Sequence, residues 1–483
     1  MHVQVALARK TLSAWGMGVF GAAASAPMVV LVGGVVATYA STQVTTVPLV
    51  FLLVGGVVAL LLVGYTAMSR QVPHAAAYYA ILTRGMSRRW GVAGGAVALV
   101  AYNGIQISLY GLLGATMANL VGGSWWVWAG VGLVLVAVLG VRAVALSTVL
   151  LATVLAGSLV IIVLFVASAL ADPAGGTLSW EGFAVSGLEV SGIGGALALC
   201  LAALMGVDAP ASFAEESRDN SGVTRAVFAG VLFLTVVYAG TAWAMGIAVG
   251  TDQVAAVAAD PNSGLPFSVL EQGLGGFMTP LAQMMLILAM ITSLLAFHNV
   301  VARYVFAMAR EGVLPAALAR SGNGTRVSAP IGGSLLQTGI AALVLVAFAA
   351  LHADPVATLF TWLSTLGALG LLCLLLAASV AAIGARNGLL SGVGIGSSVI
   401  APLCGVTLGA VVLGAMVINV GSLLGAAEGS RSPYLLPLII AVAAIGGSLW
   451  AGLLRRSRPD VYQGISQGRP DTHAVPDDVG VTF

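Results

Sequence analysis

Charge is nearly absent from long stretches of this chain, and that alone sets the class of fold open to it. Of 483 residues, 59% are hydrophobic and only 7% are charged. The charges gather between apolar runs rather than inside them. A helix needs about 20 apolar residues to cross a bilayer. Twelve such runs can be drawn, at 13–40, 47–69, 91–121, 125–141, 144–171, 190–214, 225–249, 277–309, 330–352, 355–384, 396–423 and 433–454. Backbone polar groups in lipid must be satisfied within the protein, so runs of this kind fold as helices. The expected class is an all-α membrane protein with twelve transmembrane helices.

The basic residues agree with that count. Numbering the loops from the start, eighteen of the nineteen Lys and Arg residues fall on one side, among them Arg9, Lys10, Arg84, Arg88, Arg310 and Arg455. Arg431 alone falls on the other side, among acidic residues such as Asp172, Glu181 and Asp260. Positive loops stay in the cytoplasm. Both termini are therefore expected inside, with the chain a multi-pass protein of the plasma membrane. Arg9-Lys10 followed by an apolar run and Ala24-Ser25-Ala26 has the look of a cleaved leader. Pro27 directly after that site argues against cleavage.

Two of the runs are interrupted. Ser25-Ala26-Pro27 stands in the middle of the first and Asp208-Ala209-Pro210 in the middle of the sixth. A polar residue two places before proline is a helix-start signal, because proline fits the first helical position and the polar side chain can cap open N–H groups. At bilayer depth it predicts a helix that stops near 24–27 or 204–209 and restarts. A proline kink in a continuous helix is the competing reading. The string recurs at Ser328-Ala329-Pro330 and, in part, at Ala401-Pro402, both near expected helix starts. Runs one to five and six to ten then form two units. Five is odd, so the second unit enters the membrane from the opposite side. This predicts a 5+5 inverted repeat with discontinuous helices 1 and 6, an arrangement that places a binding site between the two breaks. The expected organisation is a cytoplasmic N-terminus at 1–12, a first repeat at 13–171, a second at 190–384, helices 11 and 12 at 396–454, and a disordered cytoplasmic tail at 455–483.

Four segments carry a family resemblance. FAEESRDNSGVTRAV (213–227), Gly206-Val207-Asp208, VPHAAAYYAILTRG (72–85) and LAFHNVVARYVFAMAREGVLPAAL (295–318) resemble, in order, motifs of amino acid permeases of the amino acid–polyamine–organocation (APC) superfamily. The resemblance implies the leucine-transporter-like fold, with helices 1, 2, 6 and 7 rocking against 3, 4, 8 and 9. It also implies secondary active transport of an amino acid or related amine, coupled to protons or run as exchange. Four features depart from the family pattern. The helix 1 break has no glycine run, the acid of helix 6 is aspartate, the helix 6 break has Ala203, Leu204 and Met205 where a large aromatic gate is common, and helix 5 has no lysine.

The chemistry of an amino acid assigns roles to the break residues. Its carboxylate suits helix-start N–H groups, and its ammonium suits free carbonyls or an acid. Ser25, Ala26, Met28 and Val29 would serve the carboxylate. Carbonyls of Ala203, Leu204 and Gly206, with the Asp208 carboxylate, would serve the ammonium. Asp208 reads alternatively as a helix cap. On that assignment Asp208→Asn should weaken amine binding more than Ser25→Ala does. Tyr102, Gln106 and Tyr110 share one face of helix 3. With Asn103, that face reads either as cavity lining or as glue between helices.

Asp208 and His298 are the titratable groups well inside the spans, so proton coupling is expected ahead of sodium. Ser293, with Thr292, would complete a sodium site if there were one. Trp362, beside Thr361, is the expected outer gate. Glu215 to Asp219 reads as an inner network that opens and closes, or as a solvated loop. Cys200, Cys373 and Cys404 lack metal spacing, and hydrolase and nucleotide-binding motifs are missing. The chain is not expected to be an enzyme, to hold a cofactor or metal, or to bind nucleic acid. Its expected partners are the small-molecule substrate, protons and the bilayer. A non-transporting sensor or channel on the same fold, or a polyamine or organic-cation exchanger, is the alternative.

Overall fold

A computed structural model describes residues 13–141, 148–187, 190–218, 221–260, 262–320, 330–424 and 430–468. These residues are helical, with no β-strand among them. Ten helices are long and apolar enough to cross a membrane: α1 (Ala14–Thr42), α2 (Val47–Gln71), α3 (Arg88–Val121), α5 (Thr148–Ala171), α7 (Gly222–Val249), α8 (Met278–Arg310), α9 (Ile331–Ala350), α10 (Pro355–Gly384), α11 (Gly396–Ile418) and α12 (Ser432–Ser457). Two shorter apolar helices, α4 (Trp125–Val141) and α6 (Val190–Ala203), occupy the remaining expected runs.

Local chemistry fixes the helix ends. The Ser13 hydroxyl accepts from Gly16 N (3.1 Å) and starts α1. Asp354 accepts from Val356 N and Ala357 N (2.8 and 2.6 Å) ahead of α10, where Pro355 fits the first turn. The core is built around α3, which packs on α4, α8, α10 and α12. Its approach to α10 is close: a Cβ at Gly104 would sit 2.9 Å from Leu363 O, and one at Gly367 would sit 2.9 Å from Ala101 O. Small residues at such crossings let two backbones meet. α1 packs on α5, α7 and α8, and α2 on α7, α10 and α11.

Both interruptions are present, and they differ in form. In α1 the helix runs through Ser25, and the break is confined to Ala26, at φ 45° and ψ 73°. The expected non-helical stretch of 24–27 is thus too wide. One left-handed residue turns the chain, its N–H closes back on Ala22 O and Ala23 O (3.2 Å each), and Pro27 needs no acceptor. In α6 the α-helix ends at Ala203, residues 204–208 form turns with Gly206 at φ 98°, and Ala209–Glu216 continues as a 3₁₀ helix. Pro402 lies near the start of α11, as expected, in the first turn of its α-helical part (Ala401–Ile418) and directly after a widened opening at Gly396–Ile400.

The tail also differs from expectation. Disorder from 455 is replaced by α12 continuing through Ser457, a short helix at Pro459–Gly464 and ordered chain to Gly468. Polar composition hid two apolar residues, Val461 and Ile465, one helical turn apart and both buried. Arg9, Lys10, Arg142, Glu189, Asp219, Arg326, Ser328, Ala329, Glu428, Arg469 and the tail beyond lie outside the described residues.

Candidate functional site

The two breaks touch. The Ser25 hydroxyl, at the end of the first half of α1, donates to Met205 O (2.6 Å) in the turns after α6. Gly206 lies against the same spot: a Cβ there would come within 2.9 Å of Ala24 Cβ and 3.0 Å of Ser25 N. Its φ of 98° also favours glycine. A break leaves carbonyls without helical partners, and hydroxyls from neighbouring helices meet them here. Ser293 of α8 donates to Ala24 O (2.5 Å) and Tyr238 of α7 to Ser25 O (3.2 Å). Among the three expected N–H donors, Ala26 N and Val29 N are engaged within the break itself. Met28 N is not in these bonds, and it is the donor at the start of the second half.

Beside this junction is a cavity of about 70 Å³. One wall is the α1 break (Ala24, Ser25, Ala26, Val29), and the opposite wall is the α6 end (Ala202, Ala203, Met205). Ile105, Ser108 and Leu109 of α3, Ser293 and Phe297 of α8, and Phe360 and Ser364 of α10 close it. No charged side chain lines it. Of the residues expected to bind, couple or gate, Ser25, Ala26, Val29, Ala203 and Ser293 border this space. Met28, Tyr102, Asn103, Gln106, Leu204, Gly206, Asp208, His298 and Trp362 do not. Trp362 is half-buried near the start of α10, and it is Phe360 that borders the cavity.

Asp208 sits instead in a cage of tyrosines. Its Oδ2 accepts from Tyr102 (2.5 Å) and Tyr78 (3.0 Å). Tyr65 donates to its backbone carbonyl (3.3 Å), and the Tyr304 hydroxyl accepts from Tyr78 N (2.7 Å). All four rings and Asp208 are fully buried. Oδ1 has no hydrogen-bond partner among the described residues. Two phenolic donors on one oxygen suit a carboxylate.

The amino acid permease family model matches residues 16–442. The stretch includes both breaks, the cavity and the tyrosine cage. The chain belongs to this family. It is an amino acid permease of the amino acid–polyamine–organocation superfamily, a multi-pass membrane transporter. No curated protein matches it.

The remaining residues singled out in the permease fall into two other clusters. Gln106, expected at the cavity, lies among α3, α8 and α9. Its amide approaches Tyr110 OH (3.4 Å) and His298 Nδ1 (3.5 Å), and Gln337 donates to its Oε1. His298 Nε2 pairs with Ser334 Oγ (2.7 Å). A Cβ at Gly140 of α4 would fall 2.4 Å from His298 Nε2, so the imidazole fills space that α4 leaves for it. This is the arrangement of glue between helices, reached because α3 is buried on every side. Asn103 Nδ2 turns back to Leu99 O (2.7 Å).

The second cluster lies at the end of the bundle where α8 and α12 finish. Arg310 forks onto Glu215 (2.9 and 2.5 Å), and Arg303 lies over the Phe213 ring, 4.4 Å from its centre. Phe213 in turn meets Phe20 of α1, ring centres 4.3 Å apart. Tyr65, Tyr78, Tyr304 and Tyr238 were not singled out from the sequence. A tyrosine in an apolar run looks like packing. Only Tyr78 and Tyr304, inside the 72–85 and 295–318 motifs, had a signal attached.

Proposed function

We propose that this permease is a twelve-span secondary active transporter that carries a small neutral amino acid by alternating access, with proton coupling through Asp208. The cavity bounded by both helix breaks carries the reading. A break exposes backbone dipoles where a zwitterion's two charged ends need them, without fixed charge in the wall. The Ser25 hydroxyl, on the cavity wall at the α1 break, serves the carboxylate end. The carbonyls around Ala24 and Ser25, once the Ser293 and Tyr238 hydroxyls swing aside, serve the ammonium.

The volume bears on the cargo. At about 70 Å³ it is about half the roughly 150 Å³ of an apolar cavity that binds benzene. That is the scale of glycine, alanine or serine rather than arginine or tryptophan. A polyamine would want acidic lining, and this wall has none. The preference for cationic amines expected from Asp208 is therefore replaced by a preference for neutral zwitterions. Asp208, beside the cavity wall and not in it, is suited to take a proton on Oδ1 as the tyrosine cage rearranges. The ten long helices with α4 and α6 supply the twelve spans, in two units at 13–171 and 190–384. The side rich in arginine, with both termini, is cytoplasmic.

Counterflow in proteoliposomes tests the reading. Vesicles loaded with unlabelled alanine, glycine or serine should accumulate labelled alanine transiently, and vesicles loaded with arginine, glutamate or putrescine should not. A thermal-shift screen reads binding separately, since a ligand at 100 times its Kd adds about 2.7 kcal/mol to apparent stability. Binding without counterflow would point to a sensor. Counterflow with arginine but not alanine would refute the cavity argument.

A further inference from the structure

The chain does not run free after α12. Arg458 reaches Gly312 O (3.5 Å), Arg88 reaches Gln463 O (3.2 Å), and Val461 and Ile465 are buried. Ser466 and Gly468 then turn through left-handed conformations, φ 64° and 66°. The turn aims two backbone amides at one carboxylate: Ser466 N at Glu311 Oε2 (2.8 Å) and Gly468 N at Glu311 Oε1 (2.7 Å). Backbone amides converging from such turns make an anion-binding concavity. Glu311 directly follows α8 and is 2% exposed. Its other partners are His74 Nε2 (3.0 Å) and Tyr79 OH (2.6 Å), from the segment after α2.

The surrounding bonds make this more than a resting place for a tail. Next to Glu311, Arg310 holds Glu215, and Glu215 also accepts Ala75 N–H (2.9 Å). One node thus ties the segment after α2, the far end of α6, the end of α8 and the tail. Two of the four donors to its buried carboxylate come from the tail. A buried carboxylate that loses donors becomes unstable where it is and draws in water. The left-handed turn at a non-glycine residue, Ser466, persists only where surrounding contacts over-determine it.

We infer that residues 458–468 are a built-in ligand of the Glu311 cradle and latch this end of the permease shut. Release of the segment strips Glu311 of half its donors, loosens its hold on His74 and Tyr79, and lets the α2 and α6 ends part from α8. The inference goes beyond the transport reading and depends on it only for the statement that this end opens.

The test reads conformation, not uptake, so it stands apart from the choice of substrate. Ala75 is fully buried within the node. Ala75→Cys is introduced alone, with Ser466→Pro, and into a chain ending at Arg458. Proline removes the Ser466 N–H and cannot adopt its positive φ. Maleimide labelling in proteoliposomes is corrected with the chain lacking Ala75→Cys, and hydrogen exchange follows the amides of 459–468. Ser466→Pro should release those amides and raise labelling at position 75 several-fold, as should truncation. A synthetic peptide of residues 455–470 should reverse the rise in the truncated chain. Tail amides that stay protected in Ser466→Pro overturn the latch, and so does labelling that stays at the parent rate once they are released.

Discussion

Gly206→Ala is the sharpest test of the idea that the two helix breaks are built against each other. Two costs can be estimated from the structure. At φ 98° a side chain brings strain of roughly 1–2 kcal/mol. The new Cβ would also lie 2.9 Å from Ala24 Cβ and 3.0 Å from both Ser25 N and Ser25 Oγ. Backbone cannot swing away as a flexible side chain can, and overpacking of this kind costs about 1–3 kcal/mol. The sum is about 2–5 kcal/mol. Relief would require α1 to move off α6, which breaks the Ser25 hydroxyl bond to Met205 O. The variant should melt several degrees lower in detergent, and the fraction that stays folded should transport poorly. Gly240→Ala is the control. Nothing lies within 4 Å of its Cβ position in α7, and alanine there gains up to about 1 kcal/mol of helix propensity. If Gly206→Ala melts and transports like the parent while Gly240→Ala does too, the contact between the breaks carries no energy and the reasoning fails.

Asp208→Asn should leave substrate binding by thermal shift close to the parent, because Asp208 does not border the cavity, and should abolish the response of uptake to an imposed pH gradient; strongly weakened binding with the pH response retained would contradict this. Ser25→Ala, at the cavity wall, should harm binding more than Asp208→Asn does. Gly140→Ala would put a Cβ 2.4 Å from His298 Nε2, so it should destabilise by about 1–3 kcal/mol without altering which amino acids bind, and a changed substrate profile in the thermal-shift screen would count against the scaffold role of that cluster. The tail should respond to pH through Glu311, which faces His74 and Tyr79 with the Arg310–Glu215 pair alongside. Burial pushes its pKa up, and bonds from His74, Tyr79 and Ser466 N more than offset this, leaving it below the ordinary 4.5. A depressed folded pKa gives stability that is present above the unfolded value and lost as pH falls through the folded one. Exchange protection of 459–468 should therefore be level from neutral to about pH 5 and collapse in stronger acid; a loss between pH 8 and about pH 6 would exclude Glu311 as its holder.

The membrane class and both breaks were legible because they rest on local rules. Apolar length gives the spans, and a proline two places after a polar residue gives a restart. The facing of side chains was not legible. Helical spacing put Tyr102, Gln106 and Tyr110 on one face, and they do share it. But a face of a fully surrounded helix meets several neighbours in turn. Tyr102 reaches α6, while Gln106 reaches α8 and α9. The cavity is bordered by the adjacent stripe, Ile105, Ser108 and Leu109, which looked like ordinary packing. The tyrosine cage was hidden for a similar reason. Its members come from α2, the 77–85 helix, α3 and α8, and only the fold brings them to Asp208.

On the proposed reading, those positions separate two tasks that the sequence seemed to give to one residue. An acid in direct contact with an ammonium would bind substrate and proton in competition, since protonation removes the charge that holds the amine. Here the wall offers backbone dipoles and serine hydroxyls, whose attraction for a zwitterion does not change with pH. Asp208 stands one layer behind, joined to the α6 break through its own backbone and to α3 through Tyr102. A proton on Oδ1 makes the carboxyl a donor and weakens its hold on the Tyr78 and Tyr102 hydroxyls. The first consequence falls on the fit of the α6 break against α3, not on the ligand. If Asp208 carries the proton, as proposed, coupling runs through the shape of the break, and any substrate small enough to fit between the breaks would share the same proton step.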